Sequence, residues 1–269
     1  MSRTQCRTQC GYKNCLSKAR TNLLACGRCK TIKYCQRECQ KKDWTFHKYK
    51  CAEPDVARRS VEGYTIESIQ ATIDAASPGD IVILNGGSYG GSSSDLFVNK
   101  PLKLWGVGGD KKDVILNCNL VIKESGTDED SNDTVVVADF VLNGTIAISS
   151  NKYKSITLCN IKEMCPPNVR DDALTINECK GKCLILGCVI YGGGDGVGIY
   201  TDGVHLKHTS IRNAQSRGIF SRRDFIVEDC KISGCGGYGI KGSAGWTEKG
   251  SHNDIQPGPW SSWGGASGW

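Results

Sequence analysis

Residues 204–240 read VHLKHTSIRNAQSRGIFSRRDFIVEDCKISGCGGYGI and contain two copies of one unit. Leu206 in the first copy corresponds to Val227 in the second, and Ile211 corresponds to Ile232. Four residues separate the two apolar members of each copy, and no helical periodicity runs through the stretch. A period of about 21 residues with short strand signals is typical of a right-handed parallel β-helix, in which like residues stack on successive coils.

The unit can be followed back toward the amino terminus. Successive apolar pairs keep this period except between Ile156 and Ile185, where a longer step predicts a loop insertion within KEMCPPNVRDD, residues 162–172. About eight coils fit between residues 66 and 245. The small residues between pair members are expected in the core, because free cysteine behaves as a small hydrophobe. The apolar pairs are Val135/Phe140, Ile156/Ile161, Ile185/Ile190, Leu206/Ile211 and Val227/Ile232. The small residues between their members are Ala138, Cys159, Cys188, Thr209 and Cys230. A Gly-Ile dipeptide also recurs, as Gly198-Ile199, Gly218-Ile219 and Gly239-Ile240.

A helix is predicted before the first coils. Ile66, Ile69 and Ile73 fall at helical spacing, Pro78-Gly79 ends the helix, and a short buried strand follows over 80–85. This stretch and KPLKLWGVG, which follows it, resemble the first coils of pectin-lyase-like β-helix proteins. The resemblance implies the fold alone, because the fold hosts lyases, hydrolases, isomerases and binding modules.

The amino-terminal segment is rich in metal-binding side chains. Between residues 10 and 51 stand seven cysteines and one histidine at short spacings, which suit Zn²⁺. Eight ligands fill two tetrahedral sites and leave no open position, so two structural zinc ions are predicted. The ligand pairs are Cys10/Cys15, Cys26/Cys29, Cys35/Cys39 and His47/Cys51.

The run from Tyr34 to His47, YCQRECQKKDWTFH, resembles the MYND zinc finger. The resemblance implies interleaved sites, with the first and third pairs sharing one ion and the second and fourth sharing the other. Spacing alone also allows sequential pairing. The first pair departs from the family, because Cys10 and Cys15 have four residues between them where two are commoner, and Cys6 is either free or a replacement for Cys10.

The resemblance also implies a partner. MYND fingers bind short proline-containing peptides in a groove beside the second zinc, and Gln40 and Trp44 match groove positions. An indole offers a flat apolar face to a proline ring, and an amide can hydrogen-bond an extended backbone. The alternative is that Trp44 only covers the zinc cluster and Gln40 is solvated.

Charge is divided along the chain. Residues 1–60 hold 15 Lys and Arg against 4 Asp and Glu, whereas the remainder holds 19 against 24. A basic finger can bind nucleic acid or acidic peptides. The alternative is that its charged side chains only form a solvated face. The start of the chain shows no secretory signal and no stretch suits a membrane span, so reduced thiols in the cytoplasm or nucleus are expected, with a secreted disulfide scaffold as the alternative.

An enzymatic β-helix would need carboxylates in line on adjacent coils, as glycoside cleavage does. With a uniform period, Asp195 falls in line with Ser216 and Asp202 with Arg223, so no carboxylate ladder is predicted. The hydrolase motifs NTD and GHG of this fold are absent. We therefore predict no catalytic residues; the candidates considered are Asp171, Asp172, Asp195, Asp202, Asp224, His205 and His208.

The predicted protein is mainly β, a right-handed parallel β-helix preceded by a small two-zinc α+β finger. Its function is predicted as recognition of proline-containing protein segments joined to a β-helix scaffold or binding domain. The alternatives are a carbohydrate-active enzyme with an appended finger, and nucleic-acid binding through the basic finger. The predicted parts are a flexible terminus at 1–9, the finger at 10–51, a linker at 52–63, the β-helix with its cap helix at 64–245, and a Trp- and Gly-rich cap or tail at 246–269.

Overall fold

The chain was studied as a computed structural model. It forms two compact units, residues 1–57 and 58–269, which are described separately. The predicted flexible terminus and the predicted ligands Cys10 and Cys15 lie outside the described residues. The structure describes residues 12, 23–51, 54–91, 95–108, 113–123, 134–150, 152–166, 170–242, 245–256 and 258.

The first unit contains a hairpin followed by a helix. Strands β1 (Leu24–Ala25) and β2 (Lys33–Tyr34) pair antiparallel, and helix α1 spans Arg37–Lys50. The turn between the strands has a left-handed residue, Lys30, with φ of 56°.

The second unit is a parallel β-solenoid with one helix, α2 (Ile66–Ala75). Its strands are short, and each runs parallel to its neighbours. In chain order they are β3 (Arg58–Ser60), β4 (Ile81–Asn85), β5 (Gly87–Tyr89), β6 (Asp95–Val98), β7 (Lys103–Val107), β8 (Val114–Leu116), β9 (Asn119–Lys123), β10 (Thr134–Ala138), β11 (Val141–Leu142), β12 (Ile146–Ser150), β13 (Ser155–Cys159), β14 (Lys162–Met164), β15 (Leu174–Cys179), β16 (Lys182–Leu186), β17 (Val189–Tyr191), β18 (Val197–Ile199), β19 (Val204–Lys207), β20 (Ser210–Arg212), β21 (Ile219–Ser221), β22 (Phe225–Glu228), β23 (Lys231–Ser233), β24 (Ile240–Gly242), β25 (Trp246–Lys249) and β26 (Asp254–Ile255).

Three sheets run along the solenoid, and each coil contributes one strand to each sheet in turn. The first sheet has nine strands, the second eight and the third seven, which agrees with the predicted number of about eight coils. The first sheet is ordered β3-β4-β7-β10-β13-β16-β19-β22-β25, the second β5-β8-β11-β14-β17-β20-β23-β26, and the third β6-β9-β12-β15-β18-β21-β24.

Helix α2 forms as its sequence predicts. Thr65 and Ser68 form a reciprocal capping box at its amino terminus. Ile66, Ile69 and Ile73 are fully buried and join the core of the solenoid. Among the described residues, neither α1 nor α2 is both long and apolar enough to cross a membrane.

The solenoid extends beyond its predicted limits at both ends. Strand β3 lies within the segment predicted as a linker, and Arg59 is hydrogen-bonded to Asp80 on the next coil at 2.7 Å. The predicted β-helix ends at residue 245, but β25 and β26 continue the stacking and pair with β22 and β23. Trp246 in β25 stacks on Phe225 with 6.4 Å between ring centroids, so its indole covers the preceding coil.

Two residues join the first sheet to the second in each of the five coils between β10 and β23. The first residue of each connection has a left-handed backbone, with φ between 50° and 64°. Asn, Asp and His tolerate this conformation better than other non-glycine residues, which explains their recurrence there. The five residues are Asp139, Asn160, Gly187, His208 and Asp229.

The register differs from the prediction at one step. Val135 pairs with Ile156, and Ile185 with Leu206, as expected. Between them, however, Ile185 pairs with Leu158 rather than Ile156, so the longer step is two residues shorter than predicted. A separate difference of two residues, in the step from β18 to β21, makes Gly196-Val197, not Gly198-Ile199, the equivalent of the later Gly-Ile dipeptides. The added residues lie between β14 and β15, where the insertion was predicted.

The stacking of β14 between β11 and β17 places a carboxyl group in the core. Glu163 stacks between Leu142 and Ile190 at an inward position and is fully buried. Neither carboxylate oxygen has a hydrogen-bond partner among the described residues, and the group faces a cavity of about 10 Å³ with apolar walls. Burial raises the pKa of Glu163 well above its ordinary value. Cys159, Cys188 and Cys230 are buried, as predicted.

Replacement of Glu163 is expected to stabilise the protein. Because its folded pKa lies above the unfolded value of about 4.3, the folded state binds the extra proton, and the free energy of unfolding falls as pH rises from about 4.3 toward the folded pKa. Glu163→Leu should raise the free energy of unfolding at pH 7 by about 1–3 kcal/mol, the mutational cost of an unpaired buried polar group. Urea unfolding of the full chain between pH 4.5 and 8 measures both effects.

Glu163→Gln separates charge from polarity, because it removes the titration but keeps a buried polar group. It should flatten the pH dependence while stabilising less than Glu163→Leu. Glu248→Gln, at an exposed position in β25, is the control and should leave the profile unchanged. Equal pH slopes in the wild type and both Glu163 variants would contradict the assignment.

Candidate functional site

Four metal-binding side chains meet in the first unit. The ligand atoms of Cys26, Cys29, His47 and Cys51 all lie within 4.8 Å of one another, and all four residues are buried. The His47 Nε2 atom lies 3.4 Å from the Cys26 sulfur and 3.6 Å from the Cys29 sulfur. The Cys26 and Cys51 sulfurs are 3.8 Å apart.

Local structure explains this meeting. Cys26 directly follows β1, and Cys29 stands in the turn before β2, so the hairpin presents both thiols on one side. His47 lies on the last turns of α1, and Cys51 caps that helix with its backbone N–H on the His47 carbonyl at 2.7 Å. The structure thus joins the second and fourth ligand pairs, as the MYND resemblance implied, rather than the sequentially adjacent pairs.

The chemistry of the four donors fits zinc. Three sulfurs and one imidazole nitrogen at these separations can surround one tetrahedral ion, with no position left open for a substrate. Without an ion, burial raises the pKa of Cys51 to about 12. Burial also opposes ionisation of Cys26, but hydrogen bonds from the backbone N–H groups of Cys29 and Arg28 outweigh it and lower the pKa. A bound ion would replace the protons of these crowded thiols.

Cys35 and Cys39 form a second pair of thiols, with sulfurs 3.5 Å apart at the start of α1. Their predicted partners, Cys10 and Cys15, lie outside the described residues. The first predicted site therefore stays a prediction, and these two thiols are the part of it that the structure describes.

One hydrogen bond fixes α1 against the hairpin. The buried Tyr34 hydroxyl donates to the Asp43 carboxylate at 2.7 Å. Burial and this hydrogen bond raise the pKa of Tyr34, so the hydroxyl stays protonated and remains a donor. Both residues belong to the motif that the sequence singled out, but the contact between them was not foreseen. The signal that could have predicted this contact is the spacing of the two residues, which places Tyr34 at the end of β2 and Asp43 on α1.

The predicted peptide-binding residues lie on α1. Trp44 keeps 40% of its surface exposed, and its ring centroid lies 5.8 Å from that of His47 at a tilt of 57°. Gln40, one helical turn earlier, is half-buried. Trp44 therefore contacts His47 of the cysteine and histidine cluster with one part of its ring and presents another part to solvent.

The solenoid does contain a ladder of charged residues, contrary to prediction. The third sheet takes slightly longer steps here than the first, with Leu174 opposite Val197 and Val197 opposite Ile219. Two residues before each of these strand positions stand Asp172, Asp195 and Arg217. The uniform period assumed from sequence misplaced Ser216 opposite Asp195.

Within this ladder, the two carboxylates differ. Asp195 is buried and accepts from the Arg217 side chain at both oxygens, at 2.8 and 2.7 Å. Asp172 is half-buried and accepts from the Asp195 backbone N–H at 3.3 Å. Burial, followed by the nearby Asp195 charge, raises the pKa of Asp172. Asp195 is thus held in an ion pair with Arg217. Asp172, which is less buried, is the carboxylate more accessible to a ligand.

The other candidates do not converge on this ladder. Asp171, Asp202 and Asp224 are exposed, and Asp202 lies in line with Arg223 as predicted. His205 pairs with Glu228 at 3.0 Å on the first sheet. His208 occupies one of the left-handed connections, next to Asp229 on the following coil.

Two family models match the chain. Residues 6–51 match the MYND finger, and residues 143–256 match the right-handed β-helix region. The chain therefore carries a MYND finger, a class of protein-interaction module, and a right-handed parallel β-helix. The first match begins at Cys6, so it includes both residues that could supply the first zinc ligand, Cys6 and Cys10.

Curated relatives share only a short segment. The N-lysine methyltransferase SMYD2 of Rattus norvegicus and that of Mus musculus are each 47% identical over 38 residues, 14% of this chain and 9% of theirs. The protein of the same name from Gallus gallus is 60% identical over 30 residues, 11% of this chain and 7% of its own. No solved structure was found to match the chain.

Proposed function

Because the chain carries a MYND finger and a right-handed β-helix, we propose that it is a protein-interaction protein. The finger, folded around two zinc ions, binds a proline-containing segment of a partner, and the β-helix serves as a rigid scaffold or second binding surface. The partly exposed Trp44 ring, packed against His47 of the buried cysteine and histidine cluster, carries this proposal.

Both ions are structural. Cys26, Cys29, His47 and Cys51 hold one of them, and Cys35 and Cys39 hold the other together with Cys10 and Cys15. The segment is too short to bury a large apolar core, so metal binding supplies most of its folding free energy. The described apolar side chains that pack with the cluster are few, which supports this view.

Zinc content should follow the ligand sets. Elemental analysis of the full chain should give two equivalents of zinc, Cys26→Ser and Cys39→Ser should each lose one, and Cys118→Ser, a buried thiol of the β-helix, should keep both. Cys10→Ser should lose one equivalent and Cys6→Ser none. The reverse result for the last pair would assign the ligand to Cys6, and one equivalent in the wild type would overturn the two-ion scheme.

The peptide would lie across the exposed part of the Trp44 ring. A proline ring can pack on the indole, and the Gln40 amide can hydrogen-bond the extended peptide backbone beside it. Because the ring also contacts His47, the surface is held in place by the metal cluster. Loss of zinc should therefore abolish peptide binding.

Trp44→Ala and Gln40→Ala should each weaken binding by tenfold or more, about 1.4 kcal/mol for each factor of ten. The ligand is the tightest proline-containing peptide selected from a displayed library on the full wild-type chain, measured by fluorescence polarisation. Lys41→Ala, an exposed change on the same helix, is the control. Each variant must retain two zinc equivalents, and unchanged affinity in both test variants would remove this function while leaving the zinc scheme intact.

The second candidate function, a carbohydrate-active β-helix, is favoured by one observation. Asp172 is a half-buried carboxyl with a raised pKa, in line with a second carboxylate on the next coil. A raised pKa suits a general acid. Asp195, however, is held by Arg217, so the two carboxylates do not form a free acid–base pair.

If this candidate holds, the full chain should release reducing sugar or unsaturated product from pectin-like polymers, and Asp172→Asn should reduce the rate by about 10²-fold or more, as loss of a general acid does. Asp224→Asn, an exposed acid outside the ladder, should leave the rate unchanged. No product release from the wild type would exclude it.

A further inference from the structure

An open groove lies along the connections that join the third sheet to the first. It has a volume of about 880 Å³, within the range of small-molecule sites. Lys154 lies on one coil, and Lys180 and Lys182 lie on the next, all three exposed. The hydroxyl-bearing residues Thr134, Ser155 and Thr201 also line the groove.

The floor of this groove is fixed by contacts between coils. Ser155 pairs with Lys182 in the first sheet, and its hydroxyl lies 3.1 Å from that of Thr134. The Thr201 hydroxyl bonds both the N–H and the carbonyl of Cys179, at 3.2 Å each. A Cβ on Gly181 would come within 2.2 Å of the Lys154 carbonyl oxygen, so this coil sits directly on the one before it.

The charge of the groove is unbalanced. No carboxylate of the described residues forms an ion pair with Lys154, Lys180 or Lys182, and Asp202 is the single acid that lines the groove. Three lysines against this one acid give the described residues that line the groove a formal charge of about +2. A phosphomonoester, at about −1.5 to −2 near pH 7, matches this charge, whereas a single carboxylate neutralises half of it. Lysine binds phosphate as a point charge, without the planar geometry that arginine requires.

The lysines also limit the length of the ligand. Coils repeat at about 4.8 Å, so lysines on two adjacent coils can contact one tetrahedral anion from two sides. On the coil that follows, Gly203 and Asp202 occupy the wall, and the acid would repel a continuing row of phosphates. The cationic part is therefore compact and suits one phosphoryl group better than a nucleic-acid backbone.

We propose that this groove binds the phosphomonoester group of a small molecule or of a phosphorylated side chain, with Lys154, Lys180 and Lys182 as its cationic contacts. The groove belongs to the second unit and shares no described lining residue with the ladder of Asp172, Asp195 and Arg217. It would give the β-helix a ligand of its own.

The test is isothermal titration of the full zinc-bound chain with inorganic phosphate, glucose 6-phosphate and a phosphoserine peptide, each at 50 and 150 mM salt. Saturable one-to-one binding is expected, at least tenfold weaker in Lys182→Gln and abolished when all three lysines are changed to Gln. Lys162→Gln, an exposed lysine on the second sheet, should bind as the wild type does. The strongest of the three ligands identifies the source of the phosphoryl group.

Glucuronate tests the charge argument, because it offers one carboxylate on a similar sugar and should bind at least tenfold more weakly than glucose 6-phosphate. Residues 124–133, which precede Thr134 in the sequence, hold five carboxylates, so a variant with all five changed to amides is titrated in parallel. Absence of saturable phosphate binding in both chains would overturn the proposal. So would binding that survives the triple lysine change, or a preference for single-stranded nucleic acid.

Discussion

Hydrogen bonding between stacked coils is the constraint on which the larger unit depends. Each internal strand satisfies its backbone groups with the strands of the coils before and after it, so the register of one coil constrains that of the next, apart from a register shift at Ile148/Ser149 between β12 and β15. Side chains that point inward on one coil must meet inward side chains on the next, and buried isoleucine, leucine and valine fill this column. The three sheets, the core and the line of Asp172, Asp195 and Arg217 all follow from that stacking.

The finger is built on the opposite principle. Among the finger residues that the structure describes, the regular structure consists of two two-residue strands and one helix, and the buried cluster contains thiols, an imidazole and a tyrosine ring. The hydrogen bond from Tyr34 to Asp43 and the meeting of the hairpin with α1 place donors where an ion can hold them. One chain therefore joins a unit that depends on extended backbone pairing to one that depends on coordination chemistry.

The sequence predicted the elements better than their alignment. Periodicity identified the solenoid, α2 and the ladder from Ile185 through Leu206 to Val227, and cysteine spacing with family resemblance identified the partners of His47. The true length of the step that ends at Ile185 was missed because strand side chains alternate with a period of two, so a slip of two residues keeps inward residues inward. The longer third-sheet steps, which bring Asp172 into line with Asp195, depend on corner lengths that no periodicity encodes.

The two-residue connections with a left-handed first residue have a consequence for how such a protein can diversify. Along that edge, from Asp139 to Asp229, one left-handed residue turns the chain on each of five successive coils, and the connection keeps a length of two residues. Within these five coils the other two edges absorb the changes in coil length, and both the lysine groove and the ladder of Asp172, Asp195 and Arg217 lie on them. In this part of the solenoid, insertions are therefore expected at two edges, while the third keeps the coils in phase.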